Sequence, residues 1–191
     1  RSAGVFESYV TDNYLLTSNN VEVSDLATKL YFSIRAFADK EASGHCTSNS
    51  RMLSSFDPEE TASKAADTAK QALNPVAGMP GTYDVLFEPL PFSNLLYQVG
   101  EASSVFNVES SLSCFADKIG KRVASSNVTL FDDATLPNGF GSAKFDAEGT
   151  PTQKNTIIKE GVLKTYLHNT STAKRHNTKT TANAGLISPA P

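Results

Sequence analysis

Between Pro75 and Gly81 the chain places two prolines and two glycines in seven residues, and no other stretch constrains the fold as much. Proline withholds a backbone donor and glycine resists ordering, so neither a helix nor a central strand passes through it. A linker at 75–81 is expected, with a separate unit on each side.

On the N-terminal side, Tyr14-Leu15-Leu16 runs into Asn19-Asn20, a residue type that tolerates left-handed turns, and a hairpin is expected. From Thr28 to Asp39, alternation sets Leu30, Phe32, Ile34 and Ala36 on one side and Tyr31, Ser33, Arg35 and Phe37 on the other. That is the pattern of a strand with one buried face. His45 to Ser50 reads as a second strand or an exposed loop. Asp57-Pro58-Glu59-Glu60 then starts a helix, with an acceptor at the N-cap, proline at the first helical position and carboxylates in the first turn. Ala62, Ala65, Ala66, Ala69 and Leu73 follow at helical spacing, predicting close packing on a sheet or helix and an end before Asn74-Pro75.

Past the linker, Tyr83 to Phe87 reads as a short strand. Pro89 and Pro91 lead into a helix with Phe92, Leu95, Leu96, Val99, Ala102 and Phe106 at helical spacing. Asn127 to Phe131 reads as a strand ending in Asp132-Asp133, Pro137-Asn138-Gly139 as a turn, and Ser142 to Phe145 as extended. Thr156 to Lys159 and Val162 to Leu167 flank Glu160-Gly161 as a hairpin with a two-residue turn. The polar segment from Asn169 to Pro191 reads as loop. Strands and helices that do not alternate regularly indicate an α+β fold.

Composition excludes several functions. The net charge is −3 and the 17 Lys and Arg are scattered, apart from Lys174-Arg175, which disfavours nucleic-acid binding. The longest apolar runs fall far short of the roughly 20 residues that span a bilayer, and nothing resembles a signal peptide. Cys46 and Cys114, far apart, read as reduced thiols of a cytoplasmic protein. The sequons at Asn127 and Asn169 read as chance without a secretory context. The opening Arg1-Ser2-Ala3-Gly4 and the stop at Ala190-Pro191 suggest a piece of a longer chain.

Candidate chemical groups are sparse. His45 and Cys46 are adjacent, and adjacent strand side chains face opposite ways. His168 and His176, near Lys174 and Arg175, read as surface residues. Asp146 and Glu148 share a face of an extended segment and invite a paired-acid reading, whereas Gly149 and Pro151 after them favour a structural turn. Gly139-Phe140-Gly141 precedes no helix and is not a phosphate loop.

The stretch Phe145-Asp146-Ala147-Glu148-Gly149-Thr150-Pro151, with Ile157-Ile158-Lys159-Glu160-Gly161-Val162-Leu163 and Leu167 after it, resembles the signature of the TldD/PmbA (modulator of DNA gyrase) family. Asp146, Glu148, Gly149 and Gly161 carry that likeness most clearly. Ala173, Thr180, Asn183 and Pro189-Ala190-Pro191 follow at family-like spacing, and Ser18-Asn19-Asn20-Val21 and Asp57-Pro58-Glu59 fit more weakly. The resemblance implies the end of an N-terminal α/β domain over 1–74, the linker at 75–81, and the start of a mainly β C-terminal domain over 82–191.

In the family's catalytic branch, a helix after a short strand carries H-E-x-x-x-H, whose histidines bind zinc while the glutamate activates water. The corresponding stretch here is Leu95 to Glu101, where Leu96 and Glu101 stand at the histidine positions and Tyr97 at the glutamate position. No histidine lies between His45 and His168. The resemblance therefore implies the PmbA/TldE-like branch: no catalytic or metal-binding residue in this chain, and zinc supplied by a TldD-like homologue. Pairing with that homologue or with itself as a dimer is expected, with a peptide substrate, no nucleic acid and no membrane. The alternatives are an independent peptidase with active groups outside this segment, and a gyrase-modulating binding protein.

Overall fold

The computed structural model describes residues 1–185. Its α+β architecture contains two antiparallel three-stranded sheets, ordered β1-β2-β3 and β4-β5-β6. The chain forms two compact units, one of residues 1–11 and 26–93, the other of residues 12–25 and the chain from Asn94 onward. No helix among the described residues is long and apolar enough to cross a membrane.

In the first unit, β2 (Glu22–Phe37) pairs with β3 (Ser43–Ser50) from Phe37↔Ser43 to Leu30↔Ser50 without a register shift. The segment His45 to Ser50 is thus strand. Helix α1 (Pro58–Gln71) begins where its sequence predicts, with Asp57 Oδ1 accepting from the Glu60 amide at 2.9 Å. It buries Thr61, Ala65 and Ala69 against the sheet. Gly44 makes this approach possible, because a β-carbon there would run into the carbonyl of Ala65 and the amide of Ala69. Alternate residues share a face, so Gly44 and Cys46 lie on the α1 side, as do their partners Ala36 and Ile34.

The second unit includes the tip of the hairpin between β1 (Ser2–Leu16) and β2, where Asn20 takes the left-handed conformation its type allows. Its core joins Val105, Phe115, Ile157, Ile158, Leu163, Tyr166 and Leu167. Strand β4 (Leu130–Asp133) pairs with β5 (Lys154–Lys159), which pairs with β6 (Val162–Leu163). The β5–β6 turn carries φ of 49° at Glu160 and 79° at Gly161, positive at both central positions as the tightest hairpins require. A side chain at Gly161 would also collide with the carbonyls of Ala124 and Ser125.

Several expectations need correction: β4 starts at Leu130 rather than Asn127, and β6 ends at Leu163 rather than Leu167. Tyr83 to Phe87 forms no strand, because no described segment supplies a ladder partner; Leu86 is almost wholly exposed. The apolar helix divides into α2 (Pro89–Ser103) and α3 (Val105–Glu109), since Ser104 is extended and forms a bridge with Leu167. Phe106 therefore belongs to α3. Of the Ser142 to Phe145 segment only Phe145 makes a bridge, to Pro151. The polar tail contains α4 (Thr170–Arg175), closed by a capping box in which the Asn169 side chain accepts from the Thr172 amide and the Thr172 hydroxyl accepts from the Asn169 amide. Pro189, Ala190 and Pro191 lie outside the described residues.

Replacing Gly44 by alanine forces overpacking against helix backbone that has no rotamer to yield, and a loss of about 1–3 kcal/mol is expected. Asp57→Ala removes only the cap and should cost about 1 kcal/mol. Urea unfolding of both variants checks the order.

Candidate functional site

The α2 positions that the sequence resemblance sets against a zinc helix are Leu96, Tyr97 and Glu101. Leu96 is 38% exposed and Tyr97 61% exposed. They offer an alkyl group, a phenol and one carboxylate, whereas a catalytic zinc site takes three protein ligands of imidazole, thiolate or carboxylate type. This donor set does not fit a zinc ion. Among the described residues, no group of three or more His, Cys, Asp or Glu is arranged to hold a metal. His45 and Cys46 diverge as adjacent strand residues must, the His45 ring lying 2.9 Å from Ser33 Oγ while Cys46 belongs to the α1 face.

The signature residues build a turn and anchor the segments around it. Asp146, 8% exposed, accepts through Oδ1 from the amides of Glu148 and Thr150 at 3.0 and 2.9 Å, and through Oδ2 from Ala184 at 3.0 Å. The Glu148 carboxylate accepts from the amide of Thr170, the first residue of α4, at 2.9 Å. The two acids thus hold different stretches of backbone. Gly149 follows with φ of 80°, where a side chain would meet Val21 and Leu15 of the hairpin tip. Gly161 occupies the crowded β5–β6 turn.

A second polar cluster was not legible as a site. Asp132 Oδ2 accepts from Asn155 Nδ2 at 3.0 Å and from Asn183 Nδ2 at 2.9 Å, and Asn155 Nδ2 also donates to the Thr181 carbonyl. Thr181 Oγ1 receives the His168 amide at 2.6 Å. His168 is 4% exposed, which corrects its assignment to the surface. Its Nδ1 and the Oδ1 of Asn183 are buried without a hydrogen-bond partner. The His168 ring lies 5.4 Å from that of His176, whose Nε2 meets Glu109 Oε1 at 2.9 Å. Arg175 grips the same carboxylate through Nε and Nη2, at 3.2 and 2.6 Å. The sequence did hold one signal of this order: the spacing of Asn169 and Thr172 matches a capping box.

The electrostatics follow from these contacts. Burial, and then the neighbouring His176, hold His168 below the ordinary histidine range, with Glu109 acting in the opposite direction. Glu109 lies below the usual carboxylate range, chiefly through its Arg175 hydrogen bonds and despite partial burial.

A family model described as the PmbA/TldA metallopeptidase central domain matches residues 1–73, and one described as the C-terminal domain of the same metallopeptidases matches residues 80–191. An uncharacterized protein of Methanocaldococcus jannaschii is 35% identical over 173 residues, 89% of this chain and 40% of that protein. A metalloprotease of the same organism is 39% identical over 123 residues, 62% of this chain and 27% of its own length. The chain thus spans two fifths or less of these relatives. Among solved structures, a Thermotoga maritima protein bearing the modulator-of-DNA-gyrase name superimposes with a TM-score of 0.87 at 27% identity, covering 97% of this chain and 44% of that one. TldE from Thermococcus kodakarensis shares the fold with a TM-score of 0.74 at 22% identity, over 94% of this chain and 42% of its own.

Because His168 resists protonation in the folded chain, the unfolded chain binds the extra proton as pH falls below about 6.5. The stability this burial contributes is complete above that pH and declines as pH drops towards the lowered folded value. Urea midpoints should hold steady above neutrality and fall from there to pH 5.5, and His168→Gln should flatten that slope. The Glu109 contribution is lost only at lower pH, below the ordinary carboxylate range.

Proposed function

The chain belongs to the PmbA/TldD metallopeptidase family, and from that premise we propose that it is a PmbA/TldE-like, non-catalytic part of a cytoplasmic metallopeptidase complex acting in peptide maturation and proteolysis. The observation that carries this reading is α2 itself. Leu96 has no donor atom, Tyr97 offers a phenol outside the imidazole, thiolate and carboxylate set that holds zinc, and Glu101 is a single oxygen ligand. On this reading a TldD-like homologue supplies the zinc, and this chain shapes the cavity and binds peptide. The division into 1–74, a linker at 75–81 and 82–191 is part of the same proposal.

A gyrase-modulating role draws only on the names of similar solved structures, such as the one from Thermotoga maritima. The net charge of −3 does not favour contact with DNA.

The test is affinity purification of the full-length protein from its host, with metal analysis and a fluorogenic peptide assay. Substoichiometric zinc and no hydrolysis are expected from the protein alone. A copurifying homologue with two helix histidines should restore both. Stoichiometric zinc with peptidase activity in the lone protein would overturn the assignment.

A further inference from the structure

On the face of the β1-β2-β3 sheet opposite α1, one strand pair brings a hydroxyl, an imidazole and a guanidinium together. Ile34 and Ala36 of β2 and Gly44 and Cys46 of β3 belong to the α1 side, so Ser33, Arg35 and His45 occupy the other. Arg35 and His45 stand directly opposite each other in the ladder, and Ser33 lies two residues from Arg35, about 7 Å along the strand. The His45 ring crosses diagonally to Ser33, with Nε2 2.9 Å from Oγ. Arg35 and His45 are exposed and Ser33 is half-buried.

A serine hydroxyl is a weak nucleophile until a neighbouring base takes its proton, and the Ser33–His45 distance lies within the reach such a base requires. With the ring proton on Nδ1, Nε2 is free to accept the Ser33 hydroxyl proton. Arg35 adds a fixed cation. Its Nη1 donates to Ser43 Oγ at 3.1 Å, and a guanidinium retains further donors after one such bond. The strands that carry all three groups pair without a register shift, so the ladder and not a loop sets their spacing.

We propose that Ser33 accepts an acyl group from an activated, negatively charged acyl donor, with His45 as its general base and Arg35 holding the donor's anionic group. Ser33 Oγ attacks the carbonyl carbon while His45 Nε2 takes the hydroxyl proton. An Oγ–acyl ester bond forms, the bond to the leaving oxygen breaks, and the leaving group departs with the bonding pair as His45 returns its proton to solvent. Water, deprotonated by the same nitrogen, then hydrolyses the ester to a carboxylic acid and restores the hydroxyl. β2 lies between β1 and β3 and commits its amides to those ladders, which leaves no oxyanion hole of backbone donors at Ser33. Activated leaving groups such as phenolates are therefore required, and peptide amides do not react. The inference is independent of the subunit assignment above.

The probes are the mono-p-nitrophenyl ester of terephthalic acid and neutral p-nitrophenyl benzoate, each rate taken relative to the ester's spontaneous hydrolysis. The para carboxylate cannot reach its own ester, and it stands off the carbonyl by a distance close to the Ser33–Arg35 spacing. Full-length protein is treated, quenched in acid and mapped by mass spectrometry. Ser33 should carry the acyl group, well above Thr47 on the same face, and Thr47→Ala should leave that labelling unchanged. His45→Gln keeps a hydrogen bond to Ser33 but offers no base, and it should lower Ser33 acylation about 100-fold. The anionic ester should react about threefold to fivefold faster than the neutral one, as an exposed charge pair allows, and Arg35→Gln should erase that preference. Urea midpoints establish that each variant is folded. Acylation of Ser33 no greater than that of Thr47, labelling that survives His45→Gln, or a preference that is absent or persists in Arg35→Gln would overturn the proposal.

Discussion

Asp146 accepts three backbone hydrogen bonds, and much of the second unit depends on that carboxylate. It closes its own turn through Glu148 and Thr150 and holds Ala184, far along the chain, beside that turn. Hydrogen bonds to an ionised acceptor are among the stronger ones, and burial strengthens them further. Glu148 extends the arrangement by receiving the first amide of α4. The same turn sets Gly149 against the hairpin tip, where no side chain would fit. A short acidic motif therefore fixes the loop, the start of a helix and the contact with Val21 and Leu15 together.

The parts that were legible in the sequence are those whose causes are local. Asp57-Pro58 carries the start of α1, and Glu160-Gly161 carries the β5–β6 turn, because capping and positive φ depend on a few adjacent residues. The errors arose where a distant partner decides. Tyr83 to Phe87 has strand composition, yet a strand exists only when a second one pairs with it. His168 sits in polar sequence and is nonetheless buried, because Thr181 and the α4 capping box fold around it. No window of helix or strand length centred on His168 reaches Asp132 or Asn155, whose side chains organise the same cluster. The Asn169 to Thr172 spacing carries a local cap signal that a sequon shares.

The burial of His168 shows how such a cluster trades stability for order. An imidazole with an unpartnered Nδ1 lacks the hydrogen bond that normally offsets desolvation. Its backbone compensates: the amide donates to Thr181 Oγ1 and the carbonyl accepts from the Thr181 amide. Glu109, held by Arg175 and His176, then ties α3 to α4. Burial, with no partner at Nδ1, holds the imidazole below the ordinary histidine range.

Fold similarity alone does not decide what α2 does. A shared backbone supports many chemistries, and the distinction lies in which atoms the helix presents. Imidazoles at positions 96 and 101, joined by a third ligand, would create a divalent-ion site, whereas leucine and tyrosine in that region leave Glu101 to compete singly with water for any ion. A lone, partly exposed carboxylate gains too little from one coordinate bond to displace a metal's hydration shell. Packing constrains α2: Val99 and Ala102 lie against the core cluster, while Ser103 and Ser104 turn the chain towards Leu167.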